Sequence, residues 1–411
     1  MAELAMHGGA PVRSAPYPEW PVFDEQDVEA VADVVRSGVW GGHPAPGPKA
    51  AEFVEKWTAY QGARYGVVVM NGTITLKLAL EALGIGWRDE VIVPAITFSA
   101  TYYACIAAGA IPVPVDVDEE HVAIDCDQIE AAVTERTRAI IPVHLGQHMA
   151  DMDRVMEIAR RHDLAVIEDA AHAHGQRWRD QGAGCIGDFG SFSHQSTKTL
   201  NAGEGGSLLT NDETLALRAL SLTDCGRSKG SEEDEAFTYS GNFRLGELHA
   251  VLLSTQLDKF EEQRSAREDA MRHLEDVAAD IPGINVLAPD DRLTRRSCYQ
   301  YIISFEPNAL GGAESRDVCH ALSAEGVPCW PGFPSITDYE LFKPSLSRLP
   351  VAVEFADRVD PATMSFPVAD GLARRMMWLE HVAFLDGRKG VEDVAEALRK
   401  VQANVGELSP V

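Results

Sequence analysis

Between residue 67 and about residue 225 the chain alternates short apolar runs with stretches of helical period, and this alternation restricts the fold more than any other feature. Val67-Val68-Val69-Met70, Val91-Ile92-Val93-Pro94, Val113-Pro114-Val115-Asp116, Ala139 to His144 and Leu164 to Ile167 read as strands buried on both faces. Ile74 to Leu83, Thr101 to Ala108 and Asp151 to His162 read as the helices between them. Strands alternating with helices predict an α/β fold with a mainly parallel central sheet covered on both faces. Open sheets of this kind place ligand chemistry at the carboxyl ends of their strands.

At 411 residues the chain exceeds what one core usually fills, so a second, smaller domain is expected. Residues 7 to 22 are too rich in Pro and Gly for a regular element and read as an arm lying on the body. Helices are expected at Asp24 to Arg36 and Ala50 to Tyr60. From Gly246 to about Asp280 helical periodicity continues long enough to join two domains. A strand at Tyr299 to Phe305 and helices at Ser315 to Glu325 and Val391 to Ala403 predict a smaller C-terminal α/β domain. The expected division is 1–265 for arm and large domain and 266–411 for the small one.

The net charge of -27 argues against nucleic acid or an anionic membrane as partner. Seven scattered cysteines without a Cys-x-x-Cys pair fit free thiols in a reducing compartment. The first residues have no basic start or apolar segment, and no apolar run approaches the ~20 residues of a membrane span. A cytoplasmic protein is the expectation.

One lysine stands apart from ordinary surface charge. Lys198 lies between the hydroxyl-rich Ser191-Phe192-Ser193-His194-Gln195-Ser196-Thr197 and the glycine-rich Ala202-Gly203-Glu204-Gly205-Gly206. A lysine whose pKa is depressed makes a Schiff base with an aldehyde. The aldehyde most often held this way, pyridoxal phosphate, needs an acid at its ring nitrogen, a flat side chain against its ring and donors for its phosphate. About thirty residues upstream, the strand Leu164 to Ile167 ends in Glu168-Asp169-Ala170-Ala171-His172-Ala173-His174, which supplies an acid at a strand end.

Four motifs in order, Asn71-Gly72-Thr73, Glu168 to Ala173, Ser191 to Gly206 and Gly241-Asn242-Phe243-Arg244-Leu245, make the chain resemble the DegT/DnrJ/EryC1/StrS family over nearly its whole length. The resemblance implies fold type I, the aspartate aminotransferase-like fold of pyridoxal-phosphate enzymes. It assigns Lys198 to the cofactor's aldehyde, Asp169 to its ring nitrogen and His172 to its ring face or phenolic oxygen. Gly72, Thr73 and Ser193 match the phosphate contacts, Phe98 the stacking aromatic, and Asn242 a phosphate contact reaching over from a second subunit. A homodimer with shared sites follows from that last assignment. On the residues alone each has an ordinary reading: Asp169 or Thr73 as a helix cap, Phe98 as core, His172 as a structural histidine.

Gln195, three residues before the lysine, resembles the ketocyclitol aminotransferases and 3-amino-5-hydroxybenzoate synthases, as do Pro142 to Asp153 and Trp378-Leu379-Glu380-His381. His194 fits no pattern of the family. The expected reaction is transfer of an amino group from L-glutamine or L-glutamate to a polyhydroxylated cyclic ketone in aminoglycoside or related biosynthesis. A nucleotide-linked keto-sugar acceptor and a dehydrating aminohydroxybenzoate synthase are the alternatives, and a non-enzymatic regulatory role is a distant third. Acceptor contacts are expected in the loops near 40–48, 225–240 and 330–338, with Gln195, Arg227, Arg296, Tyr299 and Trp330 as candidates.

Other signals lack their context. Gly182-Ala183-Gly184-Cys185-Ile186-Gly187 spells GxGxxG without the preceding strand and following helix of a dinucleotide site. His144 and His148 have metal-like spacing but no third ligand, so no metal is expected. The acidic run Glu232-Glu233-Asp234-Glu235 reads as a solvated loop.

Overall fold

The computed structural model describes residues 3–43, 45–227, 239–287, 289–306 and 309–408. The acidic run at 232–235 lies outside them. After α1 (Glu25–Ser37) and α2 (Pro48–Gln61) come β1 (Tyr65–Val69), α3 (Gly72–Ala82), β2 (Glu90–Pro94), α4 (Ser99–Ala108) and β3 (Ile111–Val115). The chain continues through α5 (Cys126–Ala132), β4 (Thr137–Ile140), α6 (Met152–His162), β5 (Ala165–Asp169) and a short hairpin of β6 (Arg177–Trp178) and β7 (Gln181–Gly182). Next are β8 (Phe189–Ser193), β9 (Gly206–Thr210) and α7 (Glu213–Thr223).

Seven strands form one sheet in the order β1-β9-β8-β5-β4-β2-β3. Only β9 runs against the others, pairing antiparallel with β1 and β8. Local chemistry explains the boundaries. Helix α6 starts where the Asp151 carboxylate accepts the Arg154 amide and ends in Arg160, Arg161 and His162, cations that suit a helix C-terminus. The strand expected to reach His144 stops at Ile140, because Pro142 has no amide proton to give a neighbour. Beyond it Val143 rejoins Asp169 by a single bridge.

The 32-residue α8 (Glu247–Ala278) contributes to two cores. Its Ala250, Leu253, Leu257 and Phe260 enter a core beneath the large sheet, while Ala270, Met271, Leu274 and Ala278 enter the C-terminal core. The C-terminal part carries β10 (Ile284–Val286), β11 (Leu293–Arg295), β12 (Gln300–Phe305), α9 (Ser315–Ala324), β13 (Cys329–Trp330), α10 (Pro350–Glu354) and α11 (Ala356–Val359). It ends with α12 (Pro367–Arg375), β14 (Met376–Glu380), α13 (His381–Leu385) and α14 (Gly387–Ala403). Strands β10-β12-β14-β13 make an antiparallel sheet, and β11 pairs with β6 of the large domain's hairpin.

Two segments pack on cores far from them in sequence. The N-terminal arm lies on the C-terminal core: Leu4 is fully buried there, and the Ala5 and Val12 amides donate to the Glu325 carboxylate. The Arg13 guanidinium pairs with Asp386 and Asp393. Conversely Ile336, Phe342, Val351, Phe366 and Leu372, within the C-terminal third, pack on the core of the large sheet. Among the described residues no helix is long and apolar enough to cross a membrane.

Candidate active site

Strands β1, β5 and β8 point the same way and finish at Val69, Asp169 and Ser193. Reversed β9 enters between β1 and β8, so Gly206 pairs with Val69 on one side and Ser193 on the other. A cavity of about 490 Å³ opens at these ends.

At one side of the cavity the chain prepares an anion site. The Asn71 side chain accepts the Ile74 amide at 3.0 Å and so caps α3. Thr73 is therefore not the cap. Its hydroxyl, and the amides of Gly72 and Thr73 that the cap leaves over, have no protein partner among the described residues and border the cavity. Gly72 is required by its neighbour, since a Cβ there would stand 2.7 Å from the Ser193 Cβ. Close approach brings the Ser193 hydroxyl to the helix N-terminus, whose dipole favours a negative charge.

Lys198 sits in the loop joining β8 to β9, and His194 shapes that loop. Its Nδ1–H donates to the Leu200 carbonyl at 3.1 Å and its Nε2 accepts the Ser207 hydroxyl at 2.9 Å. The ring packs against Phe53, Trp57 and His174, and burial lowers its pKa to about 4, so the histidine is neutral. The residue that matched no pattern ties the two sides of the lysine loop together.

The Lys198 Nζ has no hydrogen-bond or ion-pair partner among the described residues and lies 4.0 Å from the centre of the Tyr299 ring. Desolvation lowers its pKa to about 7, against the pull of the Asp169 charge. A value depressed this far lets free-base amine form near neutral pH.

Asp169 is buried, with Oδ2 accepting the Thr101 hydroxyl at 2.9 Å and Oδ1 the Ala171 amide at 3.3 Å. Burial raises its pKa, opposed by those two donors and by Lys198. His172 accepts the Gly146 amide on Nδ1 at 3.3 Å, which leaves the proton on Nε2, and its ring centre is 4.4 Å from that of Tyr299. Burial holds its pKa well below the usual histidine value. Phe98 is not core: it is 46% exposed at the cavity wall, its ring 5.8 Å from that of Phe333.

Of the acceptor candidates, Gln195, Tyr299 and Trp330 border the cavity, and Arg227 and Arg296 do not. Arg296 is buried in an ion pair with Glu275 on α8, which fixes its guanidinium elsewhere. Arg227 donates to Asp224, whose backbone bridges to that of Asn242. Asn242 is exposed and lies outside this chain's own cavity. Sequence reasoning gave no individual role to Thr101, Thr197, Phe333 and His381. Thr197, next to the lysine, and His381, within the Trp378–His381 motif, were the ones with a visible signal.

The glycine-rich turn at 182–187 binds an internal anion. The amides of Gly184, Ile186 and Gly187 all donate to the Glu168 carboxylate at 2.7 to 2.8 Å, and His144 Nε2 adds a fourth donor at 2.9 Å. The neighbour of Asp169 is thereby anchored, and His144 is engaged in a hydrogen bond.

A family model described as the DegT/DnrJ/EryC1/StrS aminotransferase family matches residues 21–399. The chain belongs to this aminotransferase family. It is 39% identical to a putative L-glutamine:3-amino-2,3-dideoxy-scyllo-inosose aminotransferase of Streptoalloteichus tenebrarius, covering 99% of both chains. An L-glutamine:scyllo-inosose aminotransferase of Streptomyces griseus is 35% identical, again over 99% of each. The crystal structure of 3-amino-5-hydroxybenzoic acid synthase superposes with a TM-score of 0.83 at 29% identity, covering 95% of this chain and 100% of that one.

The aminotransferase is thus a fold-type I enzyme whose cofactor is pyridoxal phosphate, and the residues present fit that cofactor. The Gly72–Ser193 cradle and unpaired first-turn amides suit its phosphate, the depressed Lys198 amine its aldehyde, the buried Asp169 its ring nitrogen.

Proposed function

We propose that this aminotransferase transfers the amino group of L-glutamine, or of L-glutamate, to a polyhydroxylated cyclic ketone of the inosose type in aminoglycoside biosynthesis. The carrying observation is the run of relatives with this activity in their names, similar over the full length at 35–39% identity. The cavity wall supports the same acceptor. Among the described residues it holds Lys198 and no other lysine or arginine, and Glu204 adds a carboxylate. That balance suits a neutral or amine-bearing ring better than the diphosphate of a nucleotide-linked sugar. Gln195, Thr197 and Tyr299 offer hydrogen bonds to ring hydroxyls, and Phe98, Phe333 and Trp330 offer flat apolar faces to its C–H surfaces.

Bound pyridoxal phosphate supplies an aldehyde that takes up the amino group and a ring that draws electrons from the donor's α-carbon. The chain supplies the rest. Lys198 Nζ, neutral in good part at pH 7, takes the proton from the α-carbon of the donor. In the second half-reaction it delivers a proton to the former carbonyl carbon of the acceptor. The Asp169 carboxylate, oriented by Thr101 and the Ala171 amide, holds a proton at the cofactor's ring nitrogen. His172 would offer the cofactor's ring a neutral Nε2–H. The exposed Asn242 supports a homodimer in which each cavity takes this residue from the other copy.

The test combines purified enzyme and L-glutamine with scyllo-inosose, 2-deoxy-scyllo-inosose, an amino-substituted inosose and a nucleotide-linked 4-keto-sugar, with products read by mass spectrometry. Amination of an inosose is expected. Amination of the nucleotide sugar alone overturns the acceptor assignment, and no spectral change with any amino donor overturns the enzymatic one.

A further inference from the structure

Thr197, the residue before the active-site lysine, is held from the C-terminal domain by two groups. The Tyr299 hydroxyl lies 2.6 Å from its Oγ1, and His381 Nε2 lies 3.2 Å from its carbonyl oxygen. Tyr299 and His381 immediately flank the paired residues Gln300 of β12 and Glu380 of β14, so one end of the small sheet presents both. A carbonyl oxygen only accepts, so Nε2 must carry the proton.

The other ring nitrogen explains how that tautomer is kept. Nδ1 of His381 lies 3.2 Å from Nη2 of Arg267, and an arginine can only donate. Arg267, on α8, is fully buried and has no carboxylate against it among the described residues. Its Nε and Nη1 have no hydrogen-bond partner among them, and its guanidinium lies over the ring of Trp20 at 5.0 Å. Trp20 in turn stands edge-on to His381 with ring centres 4.6 Å apart. A buried guanidinium left without a counter-charge costs stability. The cost is understandable if the cation is there to fix a histidine that holds the lysine loop.

We propose that Arg267 and His381 are positioning residues for Lys198: the arginine holds His381 as its Nε2–H tautomer, and that proton fastens the Thr197 carbonyl so that the lysine amine stays enclosed over Tyr299. The inference rests on the aminotransferase reading of the site, and neither residue is among the cofactor's assigned contacts. Releasing Thr197 lets the loop relax toward water. The groups facing Lys198 are Asp169, His172, His174, Tyr299 and His381, and only the last is altered in the test.

His381→Phe removes the donor, His381→Gln keeps an N–H at the Nε2 position, and Arg267→Met removes the tautomer lock. Two readouts are taken: the kcat and KM split of holoenzyme, and the pH dependence of Lys198 acetylation by limiting acetic anhydride in cofactor-free protein, mapped by mass spectrometry. His381→Phe is expected to lose about 10- to 100-fold in kcat, as small misplacements of reacting groups do, with KM little changed. Its Lys198 titrates about one unit or more above the wild-type value, because the amine regains solvent. His381→Gln keeps most of both properties, and Arg267→Met falls between. The proposal is overturned if His381→Gln is as impaired as His381→Phe, or if Lys198 titrates as in wild type in both His381→Phe and Arg267→Met. Should His381→Phe not fold, Arg267→Met decides alone by the same readouts. The labelling arm uses no substrate, so it remains readable even where no ketone is aminated.

Discussion

Gly72 and Ser193 approach so closely that a Cβ on the glycine would stand 2.7 Å from the serine Cβ and 3.0 Å from its Cα. The contact joins the start of α3 to the end of β8 and leaves no room for a side chain between them. Gly72→Ala must push one element from the other, at a cost of about 1–3 kcal/mol. Because the displaced atoms are the expected phosphate contacts, affinity for pyridoxal phosphate falls with stability. Denaturant unfolding and equilibrium dialysis measure the two.

Asp169→Asn removes the charge that keeps a proton on the cofactor's ring nitrogen while preserving shape and the bond from Thr101. The variant is expected to bind cofactor and to lose about 10²- to 10⁴-fold in kcat, the range that a positioned acid–base group supplies. Steady-state kinetics beside a cofactor-content assay check both halves.

His194→Phe keeps the ring among Phe53, Trp57 and His174 but leaves the Leu200 carbonyl and the Ser207 hydroxyl without their partner. Two buried groups left unpaired cost about 2–4 kcal/mol. A drop of that size in unfolding free energy, with slower cofactor capture as the lysine loop loosens, is the expected result.

In cofactor-free protein Lys198 titrates near pH 7, whereas the unfolded chain holds the proton to about 10.5. The neutral amine is the nucleophile, so the rate of pyridoxal-phosphate capture rises with pH through 7 and then levels. Stability has the same sign: between pH 7 and 10.5 the unfolded state binds the extra proton, so this residue's contribution rises with pH across that window. Subtracting the pH profile of Lys198→Met isolates it in both measurements.

Much of this site was legible because its parts lie at strand ends, where alternation of strand and helix already directs attention. Asp169, Gly72 and Phe98 each come soon after an apolar run, and Lys198 lies between a hydroxyl-rich stretch and a glycine-rich one. Arg296 was not legible, because its partner Glu275 lies on another element and nothing local marks the arginine as already paired. His194 and His381 escaped for the same reason: their meaning comes from Ser207 and from Thr197 with Arg267, which only the tertiary fold brings near. The arm's contact with Glu325 was not legible either, because the two are more than 300 residues apart. Of the loop expected to shape the acceptor site, residues 228–238 lie outside those described.

The account turns on Lys198 being the residue that takes hold of pyridoxal phosphate. Borohydride reduction of cofactor-loaded enzyme, followed by proteolysis and mass mapping, tests it directly. A pyridoxyl group on the peptide carrying Lys198, lost when L-glutamine is added before reduction, is the expected result. A pyridoxyl group on another lysine, or none, would contradict the assignment.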